Sequence, residues 1–264
     1  MRNRPIGVFD SGVGGLTVLK EIEQILPCEN IIYFGDTARV PYGNKSKNTI
    51  IRFSTENILF LLKKKVKIVV VACNTSSALA LGHLKGVFTI PILGVIKAGV
   101  DKAVKVSRNK RIGVIGTKST IDSQSYQKQL LKCDRKLRVY SGSCPLFVPL
   151  AEEGILKGKL IDEALEIYLK KFKTSGIDTI ILGCTHYPLL RQAIESYLRD
   201  VSIVDSAKEV ALETKNLLAR QGLLTTRRKK QQVEFYVSDE PGSFMRSAKL
   251  FLGRKISKPR VVDA

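Results

Sequence analysis

Ile68-Val69-Val70-Val71-Ala72-Cys73-Asn74-Thr75 has an echo later in the chain, Thr179-Ile180-Ile181-Leu182-Gly183-Cys184-Thr185-His186. In both, an apolar run closes on a small residue, a cysteine follows, and polar residues open a helical pattern. Apolar runs without alternation read as strands covered on both faces, the habit of parallel sheets. Each cysteine then sits at the carboxyl end of a strand and at the start of a helix. In open α/β sheets that edge binds ligands.

Outward from these two stretches the same rhythm fills the chain. Short β-branched runs at 6–9, 31–34, 68–71, 92–95, 112–115, 137–140, 179–182, 203–204 and 233–237 read as strands. Amphipathic stretches at 16–25, 47–64, 76–85, 98–106, 123–131, 160–172, 189–198, 208–220 and 243–251 read as helices. Strands alternating with helices argue for an α/β protein with mostly parallel sheets. At 264 residues, two similar α/β domains fit better than one wide sheet. A boundary is expected near Lys97, where the first four strands end.

The paired cysteines carry the chemistry. Helix N–H groups favour negative charge, which predicts thiols with a pKa drawn down from about 8.5 toward about 7. A group that is half ionised at neutral pH suits proton transfer. Two thiols in equivalent places can flank one substrate carbon across a cleft. One takes a proton as thiolate, the other returns one as thiol, and the carbon inverts. That is what a racemase or epimerase requires when no pyridoxal or redox cofactor takes part. A buried cysteine is otherwise a small core residue. A zinc site from Cys73, Cys184 and His186 lacks close-spaced ligand pairs, and a redox pair lacks the CxxC spacing. Cys28, Cys133 and Cys144 lack this context and read as structural.

Composition narrows the remaining classes. The chain is 44% hydrophobic and 26% charged, which excludes a largely disordered chain. Its longest apolar runs, 58–62 and 68–72, fall far short of a membrane helix of roughly 20 residues. No secretory signal is legible before the Gly-rich segment at 11–15, so a cytoplasmic protein with reduced thiols and no long regulatory extension is expected. The net charge of +20 is spread along the chain, with dense runs at Lys63, Lys64, Lys65, Lys67 and at Arg227, Arg228, Lys229, Lys230. Neither run is interleaved with aromatics, so specific nucleic-acid binding is not expected, only salt-dependent attraction to polyanions.

Several segments resemble the glutamate racemases of the cofactor-independent aspartate/glutamate racemase superfamily, and together they span nearly the whole chain. They are Phe9-Asp10-Ser11-Gly12-Val13-Gly14-Gly15-Leu16-Thr17, Gly35-Asp36-Thr37-Ala38-Arg39-Val40-Pro41-Tyr42-Gly43 and Ala72-Cys73-Asn74-Thr75. Further on come Gly116-Thr117 with Thr120, Ser123 and Tyr126, then Cys144-Pro145-Leu146-Phe147-Val148-Pro149-Leu150 with Glu152-Glu153-Gly154. Leu182-Gly183-Cys184-Thr185-His186-Tyr187-Pro188-Leu189 and Val237-Ser238-Asp239 complete the set. The resemblance implies a site in the cleft between two α/β domains, the first formed by 1–97 with 208–264 and the second by 98–207. It implies interconversion of L- and D-glutamate with no cofactor and no metal, D-glutamate feeding peptidoglycan synthesis, and a homodimer. Aspartate racemase or another isomerase of the superfamily is the alternative, and a nucleic-acid-interacting protein the more distant one.

Residue by residue, the resemblance implies that Cys73 and Cys184 are the catalytic thiols, assisted by Asp10, His186 and Glu152. Asp10, Ser11, Pro41, Tyr42, Gly43, Asn74, Thr75, Thr117, Thr185 and His186 are implied to bind the amino acid. Read on their own, Asp10 is a turn or cap residue, Pro41-Tyr42-Gly43 a turn, and Glu152 a helix-end acid. Asn74, Thr75, Thr117 and Thr185 are neutral donors and acceptors at strand ends, suited to a zwitterion or to local capping.

Overall fold

Strand β1 (Ile6–Asp10) is buried along its whole length: it has a parallel neighbour at each edge, β2 (Ile31–Gly35) and β3 (Ile68–Val71), and apolar side chains pack on both of its faces. The structure, a computed structural model, describes residues 1–263. Side chains of successive strand residues point to opposite faces. Ile68 and Val70 therefore pack on one face with Leu16, Leu19 and Ile22 of α1 (Leu16–Ile25). Val69 and Val71 pack on the other with Phe53, Ile58 and Leu61 of α2 (Lys47–Lys63). The uninterrupted valines are thus explained: both faces of β3 need an apolar side chain.

Beyond β3 come α3 (Asn74–Leu79), α4 (Leu81–Val87), β4 (Ile92–Gly94) and α5 (Val95–Val106). A second set follows: β5 (Arg111–Gly116), α6 (Lys118–Asp122), α7 (Ser125–Cys133), β6 (Arg138–Ser143), α8 (Phe147–Glu152), α9 (Lys159–Thr174), β7 (Thr179–Gly183), α10 (Arg191–Tyr197) and β8 (Ser202–Asp205). The chain ends with α11 (Ser206–Arg220), β9 (Val233–Val237), α12 (Pro241–Leu252) and β10 (Arg260–Val261).

Two parallel sheets result. One has the order β10-β9-β2-β1-β3-β4 and the other β6-β5-β7-β8. The four strands β2-β1-β3-β4 and the four strands β6-β5-β7-β8 are wound alike, so the internal echo extends to topology. In each, the winding direction reverses between the first strand and the third, which opens a crevice at their carboxyl ends. Cys73 follows β3 beside the end of β1, and Cys184 follows β7 beside the end of β5. Both cysteines therefore stand at a switch point.

All nine expected strands are present, with bounds differing by up to three residues. The tenth, β10, is a two-residue exposed edge with no pattern to announce it. The helix expected at 98–106 begins at Val95, and the one expected at 208–220 begins at Ser206. Lys97 therefore lies inside α5, whose Val95 and Ala98 join the first core while Ile96 and Val100 join one of the second sheet. The basic run at 63–67 is not one surface patch. The Lys67 ammonium is buried against Glu29 at 2.5 Å and also donates to the carbonyls of Arg2 and Leu223. Among the described residues, no helix is long and apolar enough to cross a membrane.

Candidate active site

The carboxyl ends of the two sheets face each other across a cavity of about 380 Å³. Cys73 and Cys184 both line it, as do Ser11, Pro41, Tyr42, Gly43, Asn74, Thr75, Thr117, Glu152, Thr185 and His186. Every expected site residue is thus brought to its wall except Asp10, which is fully buried behind the Gly-rich turn. Gly12, Val40, Asn44, Lys118, Pro145, Val148 and Pro149 complete the lining. These seven lie in or beside the segments that carry the family resemblance, but nothing in their residue types marks them as wall.

The turn between β1 and α1 explains its glycines. A Cβ on Gly14 would lie 2.3 Å from Thr185 Oγ1 and 2.6 Å from the His186 ring. Real Cβ atoms do not come that close, so glycine here lets the backbone of one half dock on the Cys184 loop of the other. Thr17 reinforces the contact by donating from Oγ1 to Thr185 O at 3.2 Å. Gly43 plays the matching part on the far side, where a Cβ would lie 2.7 Å from Thr117 Cβ.

The two thiols have different surroundings. Cys73 Sγ lies 3.8 Å from Ser11 Oγ. Burial, aided by the charge of Asp10, pushes its pKa up to about 12, although hydrogen bonds from Ser76 and Ser11 pull the other way. The expectation of a lowered pKa is therefore wrong for Cys73. A helix terminus supplies roughly 0.3–1 kcal/mol, less than one pKa unit at about 1.36 kcal/mol each. Burial can shift a group by up to 3–5 units and wins. Asp10 itself is raised by burial, against the pull of His186 and of the Gly15, Gly12 and Ser11 N–H groups. Its Oδ2 accepts from Gly12 N at 3.1 Å, whereas Oδ1 is buried without a partner.

Cys184 faces an imidazole. Its Sγ lies 3.8 Å from His186 Nδ1, and His186 Nε2 lies 2.8 Å from Glu152 Oε1. Burial opposes charging of His186, but its bonds to Cys184 and Glu152 outweigh burial and hold it up to about 10. Near neutral pH one thiol thus has a carboxyl group behind it and the other an imidazolium beside it.

The polar walls are largely neutral. Thr75 Oγ1 is 2.9 Å from Thr117 Oγ1 and 3.2 Å from Thr120 Oγ1, a hydroxyl cluster joining α3 to the end of β5. Tyr126 OH donates to Asn74 Oδ1 at 2.6 Å, which leaves the Asn74 amide N–H groups to serve the cavity. The Tyr42 hydroxyl donates to Asp36, so what Tyr42 presents to the cavity is ring and backbone. Among the described residues, no group of three His, Cys, Asp or Glu side chains is placed to hold a metal ion.

Residues 6–214 match the family model described as Asp/Glu/Hydantoin racemase. The chain belongs to this family. It is 48% identical over 261 residues to a glutamate racemase of Chlorobium phaeobacteroides, an alignment covering 98% of this chain and 96% of that one. Among solved structures, a Bacillus anthracis glutamate racemase isoform superposes with a TM-score of 0.96 at 40% identity, covering 100% of this chain and 98% of that one. A Francisella tularensis glutamate racemase in complex with D-glutamate superposes with a TM-score of 0.94 at 40% identity and the same coverage. The family makes this chain an amino-acid racemase, an isomerase, and its two-domain fold is the one the sequence predicts.

Proposed function

We propose that the chain interconverts L- and D-glutamate with Cys73 and Cys184 as paired acid and base. The observation that carries this reading is that both cysteines, at equivalent switch points of two similarly wound sheets, line a single cavity. Glutamate is favoured as substrate by full-length relatives of that activity, one of them solved with D-glutamate. The division into 1–97 with 208–264 and 98–207 then assigns one thiol to each half.

The α-proton of a glutamate zwitterion is very weakly acidic, so the developing carbanion needs fixed dipoles around it. The amide of Asn74, the hydroxyls of Thr75, Thr117 and Thr185, and the backbone at Tyr42 and Gly43 would hold the two carboxylates. In the L-to-D direction Cys184 abstracts as thiolate beside the His186 imidazolium, and Cys73 delivers its proton to the opposite face. Cys73 suits that step because burial and Asp10 keep it a thiol. The reverse reaction exchanges the roles. His186 and Glu152 assist Cys184, and Asp10 assists Cys73. D-glutamate made this way would supply peptidoglycan synthesis in the cytoplasm, with a homodimer as the working unit.

The test uses L-glutamate in D2O, with no added cofactor, followed by circular dichroism and mass spectrometry. Racemisation with one deuterium at Cα is expected. An unchanged optical signal would end the glutamate reading, and a parallel run on aspartate would show whether the shorter acid replaces it.

A further inference from the structure

The turn that brings Tyr42 and Gly43 to the cavity is held by a carboxylate that does not line it. Asp36 follows β2 and is fully buried. It accepts from Arg39 Nε at 2.8 and 2.7 Å, from Ser238 Oγ at 3.0 Å, and from the Tyr42 hydroxyl. Asn57 closes the ring: its Oδ1 accepts from Arg39 at 3.0 Å and its Nδ2 donates to Tyr42 OH at 3.2 Å. From the other half of the molecule, Ser119 Oγ donates to Gly43 O at 2.7 Å. The turn is therefore gripped from both sides, and Gly43 lies against Thr117 without clearance for a methyl group.

We propose that Asp36 is the positioning residue that sets the affinity of this cavity for the substrate carboxylates. It acts through the Tyr42 hydroxyl and touches no substrate atom. A buried carboxylate must keep its hydrogen-bond partners, so the turn is locked where those partners reach Asp36. Ser238, just beyond β9, extends the lock to the C-terminal part of the chain and gives that segment a part in binding. The inference rests on the glutamate reading of the cavity.

The experiment compares the full-length protein with its Tyr42→Phe, Ser238→Ala, Asp36→Asn and Asp36→Ala variants, in KM and kcat for both glutamate enantiomers, with near-ultraviolet circular dichroism reporting the fold. Tyr42→Phe is expected to raise KM for both enantiomers about tenfold, the effect of one lost bond to a charged acceptor. Its kcat stays within about twofold and the pH profile of kcat does not move, because the interaction lost is ground-state binding. Ser238→Ala raises KM by about threefold, since Arg39 and Tyr42 still hold Asp36. Asp36→Asn, which keeps the shape, falls between wild type and Asp36→Ala. An unchanged KM in folded Tyr42→Phe would overturn the proposal, and so would a fall in kcat at constant KM, which would put the hydroxyl into the chemistry. Should the Asp36 variants fail to fold, Tyr42→Phe and Ser238→Ala decide alone. Wild-type protein that does not turn over glutamate removes the substrate reading as well, whereas active wild type with unmoved KM values in the variants removes only this one.

Discussion

His186 Nε2 sits 2.8 Å from Glu152 Oε1, which turns the other ring nitrogen toward Cys184. The pair joins the end of α8 to the loop after β7, and it makes the charge of His186 a property of the folded protein. The His186 pKa rises from an ordinary value of about 6.5 to about 10. A raised pKa means that the folded state binds the proton more tightly. The resulting stability is complete below about pH 6.5 and is lost as pH rises through about 10. The melting temperature of the wild type should therefore fall more steeply between pH 7 and pH 10 than that of His186→Asn. Glu152→Gln should shift the alkaline limb of kcat/KM for L-glutamate to lower pH. Parallel melting curves for wild type and His186→Asn would contradict the charge assignment.

The two-thiol scheme makes a directional prediction. Cys73→Ala and Cys184→Ala should each lose racemisation by at least about 10²–10⁴-fold, the range of a positioned acid or base. The residual chemistry should differ between them. Cys73→Ala keeps the base for L-glutamate and should exchange its α-proton with D2O while leaving D-glutamate untouched. Cys184→Ala should do the opposite. Nuclear magnetic resonance of the α-proton reads both, and exchange of the same enantiomer by both variants would refute opposite-face placement.

Much of this site was legible in the sequence because strand-end chemistry is written locally. The runs at Ile68–Val71 and Thr179–Gly183 announce buried parallel strands, and a residue one or two steps past such a strand has little choice of location. What sequence could not supply was anything set by burial or by contacts between distant segments. The Cys73 thiol was expected to ionise easily because its helix start is visible in the pattern, whereas the depth of its burial beside Asp10 is not. Tyr42 sits in a motif implied to bind substrate, but only the fold shows that its hydroxyl is spent on Asp36. Lys67 looked like part of a surface cluster, since no local pattern reveals that Glu29 and two carbonyls wait for it.

Close approach at Gly14 predicts a sharp contrast between glycines. Gly14→Ala drives a methyl group into Thr185 and His186, and overpacking of this kind costs about 1–3 kcal/mol. Activity should fall further than stability, because the residues displaced belong to the Cys184 loop. Gly82→Ala lies in the exposed part of α4, where an added Cβ meets nothing within 4 Å. It should gain about 0.5–1 kcal/mol from helix propensity and leave kcat unchanged. Thermal melts and initial rates on the two variants make the comparison, and equal losses in both would show that the Gly14 contact does not govern the site.

Lys67 and Glu29 form the buried ion pair at the opposite end of the first sheet, with side chains 1% and 2% exposed. Glu29 Oε1 also accepts from Thr225 N at 2.8 Å, and Lys67 donates to Leu223 O at 2.9 Å. The pair thus fastens the segment after α11 to the start of β3, near the point where the chain returns to the first sheet. Removing one partner strands the other charge in a dry site, which typically costs about 3–5 kcal/mol, whereas replacing both with apolar residues of similar volume is often neutral or stabilising. Lys67→Met alone should therefore unfold at markedly lower denaturant, and Lys67→Met combined with Glu29→Leu should recover most of the loss. The two carbonyls and the Thr225 N–H would remain without these partners, so recovery should stop short of wild type. Guanidinium titrations of the two variants and the wild type measure it. A double variant no more stable than Lys67→Met would mean that the hydrogen bonds to the returning segment, rather than the charge pair, hold this end of the molecule.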